Sequence, residues 1–571
     1  MKNMKNLAPT LIALACSQAI GNYATAATQP SDSSSAKRPN IVYIIVDDQR
    51  YDAMGFINDE AVTPNMDKLA KNGVYFKNAF VTTSLSGPSR ASVLTGMYAH
   101  NHGMVDNNKN PDVYKLHYFP EELKKVGYQT GFFGKWHFGG VEKEGKPGFA
   151  GFDRWISFIG SNSQGNYYPV DMLGRPSMLN VDGKEVKQKG YITDELTDYA
   201  IDWLDHRDKS KPFMLYLGHK GVHADFLPAP RHYGKLAGKT FKKPDTYANT
   251  EENYKGKPRW VKDQRNSWHG VDYPYNSNLD MDQFKRNYYE TLMSVDDSVG
   301  RVQQYLKDHN LDKNTVIMVM GDNGFMFGEH GLIDKRNAYE ESIRVPLIAA
   351  GPGFDKGRVV EDVVANIDIA PTILDAAHIK VPSNYDGSSF LPLASGKKPA
   401  TPRSKSFVYE YFWEYKFPYT PTTFAIRNEQ YKYIQYYGLW DTEELYDLQA
   451  DPHEKHNLID SLDPKLINTK VALRHELFQK LKNHQGKNVI PYNTRKSQGQ
   501  VFRYKATGQK AADFPDQWMR DYDPSDKYFG LRPDMVDKAK KLAPLSGSLK
   551  RTKEYIKTHY MMDQKQEATE K

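Results

Sequence analysis

The chain has 571 residues, of which 39% are hydrophobic and 26% are charged, and its formal net charge is +7. This balance is typical of a soluble globular protein, and the length allows one large domain and a smaller one. The single cysteine, Cys16, excludes a fold held together by internal disulfides, so a large hydrophobic core must stabilise the protein.

The N-terminus has the features of an export signal. Lys2 and Lys5 give it a positive start, an apolar run follows at residues 7–15, and Ala24-Thr25-Ala26 offers a cleavage site. The apolar run is too short to span a bilayer, and no other segment is long enough, so we expect no transmembrane segment.

These features predict a signal peptide at residues 1–26 and a polar, Ser-rich linker at residues 27–38. We therefore expect a protein that is exported, either to the periplasm or out of the cell. Because Cys16 lies inside the signal, a lipid anchor through an acylated Cys16 is the alternative.

Two long apolar runs end in polar residues that can bind a metal. Residues 40–46 are followed by Asp47-Asp48, and residues 315–320 are followed by Gly321 and then Asp322-Asn323. Continuous apolar runs of this length predict strands buried on both faces, as in a parallel sheet. Ligands of open α/β sheets bind beyond the carboxyl ends of the strands, so these side chains form a candidate site.

A third run of strand type, residues 213–217, precedes His219 and His223, and a helical period extends from Tyr288 to Leu306. This alternation of strands and helices predicts an α/β fold over residues 39–403, with a large, doubly wound, mostly parallel sheet flanked by helices.

The composition of the chain changes from about residue 404. Short segments rich in Tyr, Phe and Thr predict a smaller C-terminal antiparallel sheet within residues 404–486, followed by a helix at about 464–483. Residues 487–571 form a basic extension whose charge of +7 equals that of the whole chain. Such a tail can attract a polyanion or can simply be solvated.

The segment Ser86-Gly87-Pro88-Ser89-Arg90 begins a predicted helix, with Pro88 in the first turn and Arg90 one turn beyond Ser86. Free N–H groups at a helix N-terminus favour an anion, so an anion site is one interpretation. The other is an ordinary helix in which Ser86 or Ser89 only caps the end.

The string from Ser86 to Gly96 resembles the signature of the type I, formylglycine-dependent sulfatases of the alkaline-phosphatase superfamily. In that signature a Cys or Ser, followed by x-Pro-x-Arg and later by Leu-Thr-Gly, is oxidised to formylglycine. Further elements resemble that family over residues 40–460, in order: Asp47-Asp48, Gly134-Lys135-Trp136-His137, His223, Asp322-Asn323, Lys335 and Glu444–Leu448.

The resemblance implies one Ca²⁺ per chain, and its implied ligands are Asp47, Asp48, Ser86, Asp322 and Asn323. Oxygen donors alone suit calcium better than zinc. A hydrated aldehyde at position 86 would take sulfate from the substrate and then release it, which an unmodified serine could not do without attack by water.

The resemblance also implies a role for each remaining site residue. Arg90 would support the formylglycine and the metal site. Lys135 and Lys335 would hold the sulfate oxygens where negative charge develops. His137 would take the proton of the hydrate, and His223 would protonate the leaving oxygen.

Position 86 is Ser rather than Cys, which implies a serine-type enzyme that a radical-type sulfatase-maturating enzyme modifies before export. Several stretches, such as Ala99–Gly103 and Arg344–Ile348, are similar to N-acetylglucosamine-6-sulfatases and related polysaccharide sulfatases. We therefore expect a sulfuric ester hydrolase acting on a sulfated polysaccharide or its oligosaccharides, and no nucleic-acid partner.

Two questions stay open at this point. His219, His330, His102 and Asn101 lie near the motifs, and each either contacts substrate or is structural. The alternative function is a phosphatase or phosphodiesterase of the same superfold that uses unmodified Ser86, although such enzymes typically bind two zinc ions through several histidines.

Overall fold

The structure of the protein is a computed structural model. It describes residues 38–107, 113–137, 145–159, 164–170, 174–224, 226–247, 250–264, 280–414, 417, 419–437 and 441–483. The predicted signal peptide with Cys16, the linker apart from Arg38, and the extension 487–571 lie outside the described residues.

The strands of the described chain are β1 (Asn40–Val46), β2 (Val74–Phe76), β3 (Ala79–Phe80), β4 (Gln129–Gly134), β5 (Arg154–Ile159), β6 (Met178–Val181), β7 (Lys184–Lys187), β8 (Phe213–Gly218), β9 (Thr315–Gly321), β10 (Met326–Phe327), β11 (Ile333–Asp334), β12 (Leu347–Ala350), β13 (Arg358–Val360), β14 (Val364–Ala365), β15 (Phe407–Tyr411), β16 (Thr423–Arg427), β17 (Tyr431–Tyr436) and β18 (Glu444–Asp447).

The α-helices of the described chain are α1 (Pro64–Asn72), α2 (Ser86–Thr95), α3 (Ala99–His102), α4 (Phe119–Lys125), α5 (Ile192–His206), α6 (Glu251–Tyr254), α7 (Arg259–Asp263), α8 (Met281–Asp308), α9 (Glu340–Ile343), α10 (Ile369–Ala376), α11 (Leu391–Ala394) and α12 (Pro464–Asn483).

The main sheet has ten strands in the order β13-β2-β12-β9-β1-β8-β4-β5-β6-β7. At its centre β1 pairs in parallel with both β8 and β9, and β4 and β5 continue the parallel array beyond β8. The strands β12, β6 and β7 pair antiparallel with their neighbours. The sheet is therefore mixed but mostly parallel, and its parallel centre holds the strands that precede the candidate site residues.

Helices cover both faces of this sheet. Successive side chains of a strand point to opposite faces, so Ile44 of β1 packs into one hydrophobic core while Tyr43 and Ile45 pack into the other. The first core also receives side chains from α1, α5 and α8, and the second from α2, α4 and α10. Burial on both faces explains why β1, β8 and β9 are continuous apolar runs.

The predicted α/β fold is confirmed, since the runs at 40–46, 213–217 and 315–320 form β1, β8 and β9. The helix predicted from Tyr288 begins earlier, at Met281, where the Asp280 side chain accepts a hydrogen bond from the Asp282 N–H. Its first turns carry mostly polar residues, which hide the apolar period that marks the rest of the helix.

The smaller C-terminal sheet is also confirmed. Strands β15, β16, β17 and β18 form an antiparallel meander in chain order. Helix α12 packs on it through Leu473 and Leu477, which share a hydrophobic core with Ile426 and Ile434. The division of the chain at residues 403 and 404 stays a prediction.

Within the described part of the chain, every helix is too short or too polar to cross a membrane.

Candidate active site

The two acidic pairs meet at the carboxyl edge of the main sheet. Val46 of β1 lies opposite Gly321 of β9, so the residues that follow the two strands emerge side by side. The Asp48 N–H donates to Oδ1 of Asp322 over 3.0 Å, and Nδ2 of Asn323 donates to Oδ1 of Asp48 over 2.7 Å. Asp47, Asp48, Asp322 and Asn323 are all buried.

Ser86 is the first residue of α2 and faces these acids. Its hydroxyl donates to Oδ1 of Asp47 over 2.9 Å and lies 3.4 Å from Oδ1 of Asn323. The next N–H of the helix, that of Gly87, donates to the Asn107 side chain over 2.9 Å. The helix start thus holds the Ser86 hydroxyl among oxygen atoms, and only 1% of the residue is exposed.

Three buried cations surround the carboxylates. Arg90 lies one turn along α2 from Ser86, and its Nε donates to Oδ2 of Asp322 over 2.9 Å. The Lys135 ammonium contacts Asp47, and the Lys335 ammonium contacts Asp48. Arg90 also donates to the Lys135 carbonyl over 2.8 Å, which ties α2 to the segment after β4.

The carboxylates are unequally stabilised as anions. Burial raises the pKa of Asp48 to about 7 despite Lys335, and Asp47 and Asp322 add to the rise. Burial, reinforced by Asp47, also raises the pKa of Asp322. For Asp47 the effect of burial is outweighed by Lys135 together with His223, Arg90 and Lys335, which hold the pKa of that carboxyl well below its usual range.

These observations fit a divalent cation that prefers oxygen ligands. The raised pKa values of Asp48 and Asp322 show that the neighbouring cations leave these anions partly unstabilised. Asp47, Asp48, Asp322, the Asn323 amide oxygen and an oxygen of residue 86 form an oxygen-only donor set, and Ca²⁺ binds six to eight such oxygens.

Two histidines border the site. His137 follows β4 and is 4% exposed, and burial together with Lys135 lowers its pKa well below 6.5. His223 lies with Nε2 3.9 Å from Oδ2 of Asp48, and burial and Lys135 also lower its pKa. Its Nδ1 lies 2.5 Å from the Ala224 carbonyl, which orients the ring so that Nε2 faces the site.

Four residues at the site hold left-handed backbone conformations that residues other than glycine rarely adopt. Their φ angles are 55° for Asp48, 69° for His137, 88° for Asp334 and 80° for Arg336. Such conformations persist where the surrounding structure imposes them. Here they occur at Asp48 and His137, which follow β1 and β4, and on either side of Lys335.

The structure thus brings together all of the residues predicted from sequence: Asp47, Asp48, Ser86, Arg90, Lys135, His137, His223, Asp322, Asn323 and Lys335. Their roles stay predictions.

The weaker candidates have structural contacts. His102 contacts the Ser92 hydroxyl over 3.0 Å, and His219 contacts the Ser298 hydroxyl over 2.9 Å. His330 is fully buried and its ring lies 4.1 Å from that of Tyr339. Asn101 donates to Asp386 over 2.8 Å. These contacts favour the structural interpretation of all four.

Other contacts at the site were not expected from the sequence. Gln164 contacts His137 over 2.7 Å, and the Tyr288 hydroxyl donates to the Asp48 carbonyl over 2.9 Å. Arg336, beside Lys335, pairs with Glu414 over 3.1 Å and stacks on Phe417 at 3.6 Å. Glu414 and Phe417 belong to the stretch 411–423, which is rich in aromatic residues.

Comparison with known proteins shows where this chain has relatives. The family model described as Sulfatase matches residues 39–379, and the one described as N-sulphoglucosamine sulphohydrolase, C-terminal, matches residues 328–484. An N-acetylglucosamine-6-O-sulfatase of Bacteroides thetaiotaomicron is 34% identical over 74% of this chain and 83% of its own length.

Two further relatives are similar over most of the chain. An ulvan-active sulfatase of Formosa agariphila is 29% identical over 80% of this chain and 87% of its own length. A solved structure of a protein in complex with its substrate, D-glucosamine-2-N,6-O-disulfate, is 31% identical, with a TM-score of 0.68 over 79% of this chain and 98% of the solved chain.

Proposed function

The chain belongs to the sulfatase family, and from this membership we propose that it removes the 6-O-sulfate of a glucosamine residue in a sulfated polysaccharide or its oligosaccharides. The named activity of the 34% identical relative and the bound substrate of the 31% identical structure support this substrate class. The observation that carries the proposed chemistry is the Ser86 hydroxyl, buried 2.9 Å from Asp47 among three carboxylates and three cations.

We propose that Ser86 is converted to formylglycine, and that Asp47, Asp48, Asp322, Asn323 and residue 86 hold Ca²⁺. Formylglycine supplies, as its hydrate, one oxygen that can take the sulfate and a second whose deprotonation releases it. Calcium supplies positive charge to an oxygen of residue 86 and to the sulfate.

The lysines change partners in this proposal. Lys135 and Lys335 contact Asp47 and Asp48 directly. With a divalent cation held by those carboxylates, Lys135 and Lys335 would be available to bind the sulfate oxygens. Fixed cations in a water-excluded site stabilise the charge that develops as the S–O bond breaks. Arg90 keeps its contacts with Asp322 and the Lys135 carbonyl and holds the two parts of the site together.

The histidines move protons. His137 is neutral because its pKa is low, so it can accept a proton from a hydroxyl of residue 86. The ring of His223 gains a proton most readily when an anion lies beside it, because Lys135, Lys220 and Lys335 all lower its pKa. The bound sulfate is such an anion, and His223 would then pass the proton to the leaving sugar oxygen.

Maturation and export complete the proposal. A radical-type sulfatase-maturating enzyme would modify the serine at position 86. Residues 1–26 would direct export to the periplasm or out of the cell. The alternative, a phosphatase or phosphodiesterase with unmodified Ser86, is weaker because lysines contact the acids where that chemistry uses a second metal ion.

Two measurements test the function. The mass of the peptide carrying residue 86 should show the loss of two hydrogens expected for formylglycine. The matured enzyme should release sulfate from 6-O-sulfated glucosamine oligosaccharides faster than from 2-O-, 3-O- and N-sulfated isomers. Equal rates on all isomers would contradict the substrate class, and an unmodified residue 86 in an active enzyme would contradict the mechanism.

A further inference from the structure

Gln164 makes a contact with His137 that the family resemblance did not predict. The side-chain amide of Gln164 lies 2.7 Å from Nε2 of His137. Gln164 is half-buried, and it follows residues 160–163, which lie outside the described part of the chain. Among the described residues, Nδ1 of His137 is buried without a hydrogen-bond partner. One ring nitrogen is therefore bound by glutamine, and the other is left for a reacting group.

A glutamine amide can meet a histidine nitrogen in two ways. Its NH₂ group can donate to a bare Nε2, which places the ring proton on Nδ1, or its oxygen can accept from Nε2–H, which leaves Nδ1 bare. The two orientations differ by half a turn about one bond. The structure has the NH₂ group facing Nε2 of His137, and in that orientation Oε1 of Gln164 and Nδ1 of His137 are both buried without a partner among the described residues.

Only one orientation agrees with the proton chemistry. A His137 that accepts a proton at Nδ1 must already carry its other proton on Nε2. After the transfer both nitrogens carry protons, and a donor facing Nε2 would then be repelled. An oxygen facing Nε2–H suits the ring both before and after the transfer.

We propose that Gln164 is a positioning residue for His137, and that its side-chain oxygen accepts from Nε2–H so that Nδ1 exchanges the proton with residue 86. This inference rests on the proposed function of His137. A neutral partner differs from a carboxylate in one respect: it fixes the tautomer of the ring without adding negative charge beside the sulfate. Asp47, Asp48 and Asp322 already place three carboxylates at the site. An uncharged acceptor therefore avoids a further repulsion of the sulfate.

Two substitutions separate the functions of the amide. Gln164→Glu keeps an acceptor oxygen of the same reach and removes the donor, whereas Gln164→Met keeps the size and removes both. We expect Gln164→Met to lower kcat by on the order of ten- to a hundredfold with little change in KM, the range typical of residues that orient a reacting side chain. We expect Gln164→Glu to lose less kcat than Gln164→Met, because its oxygen still accepts from Nε2–H although its charge adds repulsion.

The substrates distinguish positioning from substrate binding. A small aryl sulfate presents no sugar to the loop, so Gln164→Met should lower kcat equally for 4-nitrophenyl sulfate and for a 6-O-sulfated glucosamine oligosaccharide. A loss confined to KM for the oligosaccharide would overturn the inference and make Gln164 a sugar contact. A loss of kcat in Gln164→Glu as large as that in Gln164→Met would show that an acceptor oxygen does not assist His137, which would also overturn the inference.

A double-mutant cycle tests whether Gln164 acts through His137. In a His137→Ala background, Gln164→Met should cause no further loss of kcat. Asn166→Ala is the matched control, since Asn166 lies on the same segment but donates to the Ser177 hydroxyl over 2.9 Å. Additive losses in the cycle would overturn the inference, whereas a wild-type enzyme that releases no sulfate would instead contradict the proposed function.

Discussion

Removal of the Ser86 hydroxyl leaves every neighbouring charge at the site in place. We expect Ser86→Ala to lower kcat by about 10³-fold or more, because the nucleophilic oxygen is lost. The fold should persist, since the side chain fills little space and α2 begins with Leu85 as its N-cap. Sulfate release and thermal unfolding measure the two effects.

A second serine of the same helix provides the control. Ser92 contacts the Thr82 hydroxyl and His102, away from the acids. Ser92→Ala should retain turnover within severalfold. Turnover near the wild-type rate in Ser86→Ala would contradict the assignment of residue 86 as the nucleophile.

His223 can be tested through the leaving group. An alkoxide leaving from a sugar needs a proton, whereas an activated phenoxide does not. We expect His223→Ala to lower kcat by about 10²-fold or more on a sulfated sugar and by less than about tenfold on 4-nitrophenyl sulfate. Equal losses on the two substrates would show that His223 does not act as the acid.

At the scale of elements, the proposed Ca²⁺ would relieve the repulsion between the acids at the carboxyl ends of β1 and β9. Removal of calcium by a chelator should abolish turnover and lower Tm by about 2–5 °C, and added calcium should restore both. In Asp322→Asn, which removes one of the three buried carboxylates, Tm should respond less to calcium. An enzyme that keeps full activity after chelation would rule out the metal site.

Helix α1 obtains its N-terminal cap from another helix. Thr63 at its N-cap makes no side-chain cap bond, and the Asp296 carboxylate of α8 accepts the N–H groups of Asn65 and Met66 over 2.8–3.1 Å. We expect Asp296→Ala to lower the free energy of unfolding by about 1–2 kcal/mol. The adjacent Asp297 makes exposed ion pairs with Arg231 and His232, so Asp297→Ala should cost less than about 1 kcal/mol.

The Asp296 contribution also depends on pH. Burial raises the pKa of Asp296 to about 6, although the N–H groups of Met66 and Asn65 oppose the rise. A carboxyl whose pKa is raised in the folded protein stabilises most below its unfolded pKa, and this stabilisation is lost as pH rises through the folded value. The gap, defined as the unfolding free energy of wild type minus that of Asp296→Asn, should therefore fall by on the order of 2–3 kcal/mol between pH 4 and pH 7 and can change sign. A gap that widens over this range would contradict the raised pKa.

Continuous apolar runs and oxygen-rich strand ends made the central strands and the metal ligands predictable. Burial on both faces imposes such runs on β1, β8 and β9, and parallel pairing then brings Asp47-Asp48 beside Asp322-Asn323. The C-terminal strands were predictable for another reason, since aromatic segments alternate there with turns.

Other contacts left no local trace in the sequence. Gln164 contacts His137 only because two loops converge. In the sequence Tyr288 fits the pattern of core residues in α8, and only the structure shows that its hydroxyl donates to the Asp48 carbonyl. The edge hairpin of β6 and β7 is short, and three of the four β7 residues are exposed, so no hydrophobic alternation marks it. Contacts of this kind depend on tertiary packing rather than on residue pattern.

At the scale of the whole molecule, the depth of Ser86 limits when it can be modified. A residue that is 1% exposed at the start of a buried helix cannot reach the active site of another enzyme. We expect a radical-type maturating enzyme to convert residue 86 in coexpressed or unfolded protein and to leave prefolded protein unchanged. The mass of the residue 86 peptide before and after incubation measures this, and full conversion of the folded protein would refute it.

The distance in sequence between Asp48 and Asp322 is 274 residues, yet one carboxylate accepts the other's backbone N–H. A ribosome that adds about 5–20 residues per second needs roughly 14–55 s to synthesise the stretch between them. Throughout that interval the nascent chain lacks its central strand β9, so the pocket around position 86 cannot close. Slow synthesis of the stretch between the two acids would thus give the proposed maturating enzyme time to act, and codon changes that speed translation of this stretch should lower the modified fraction.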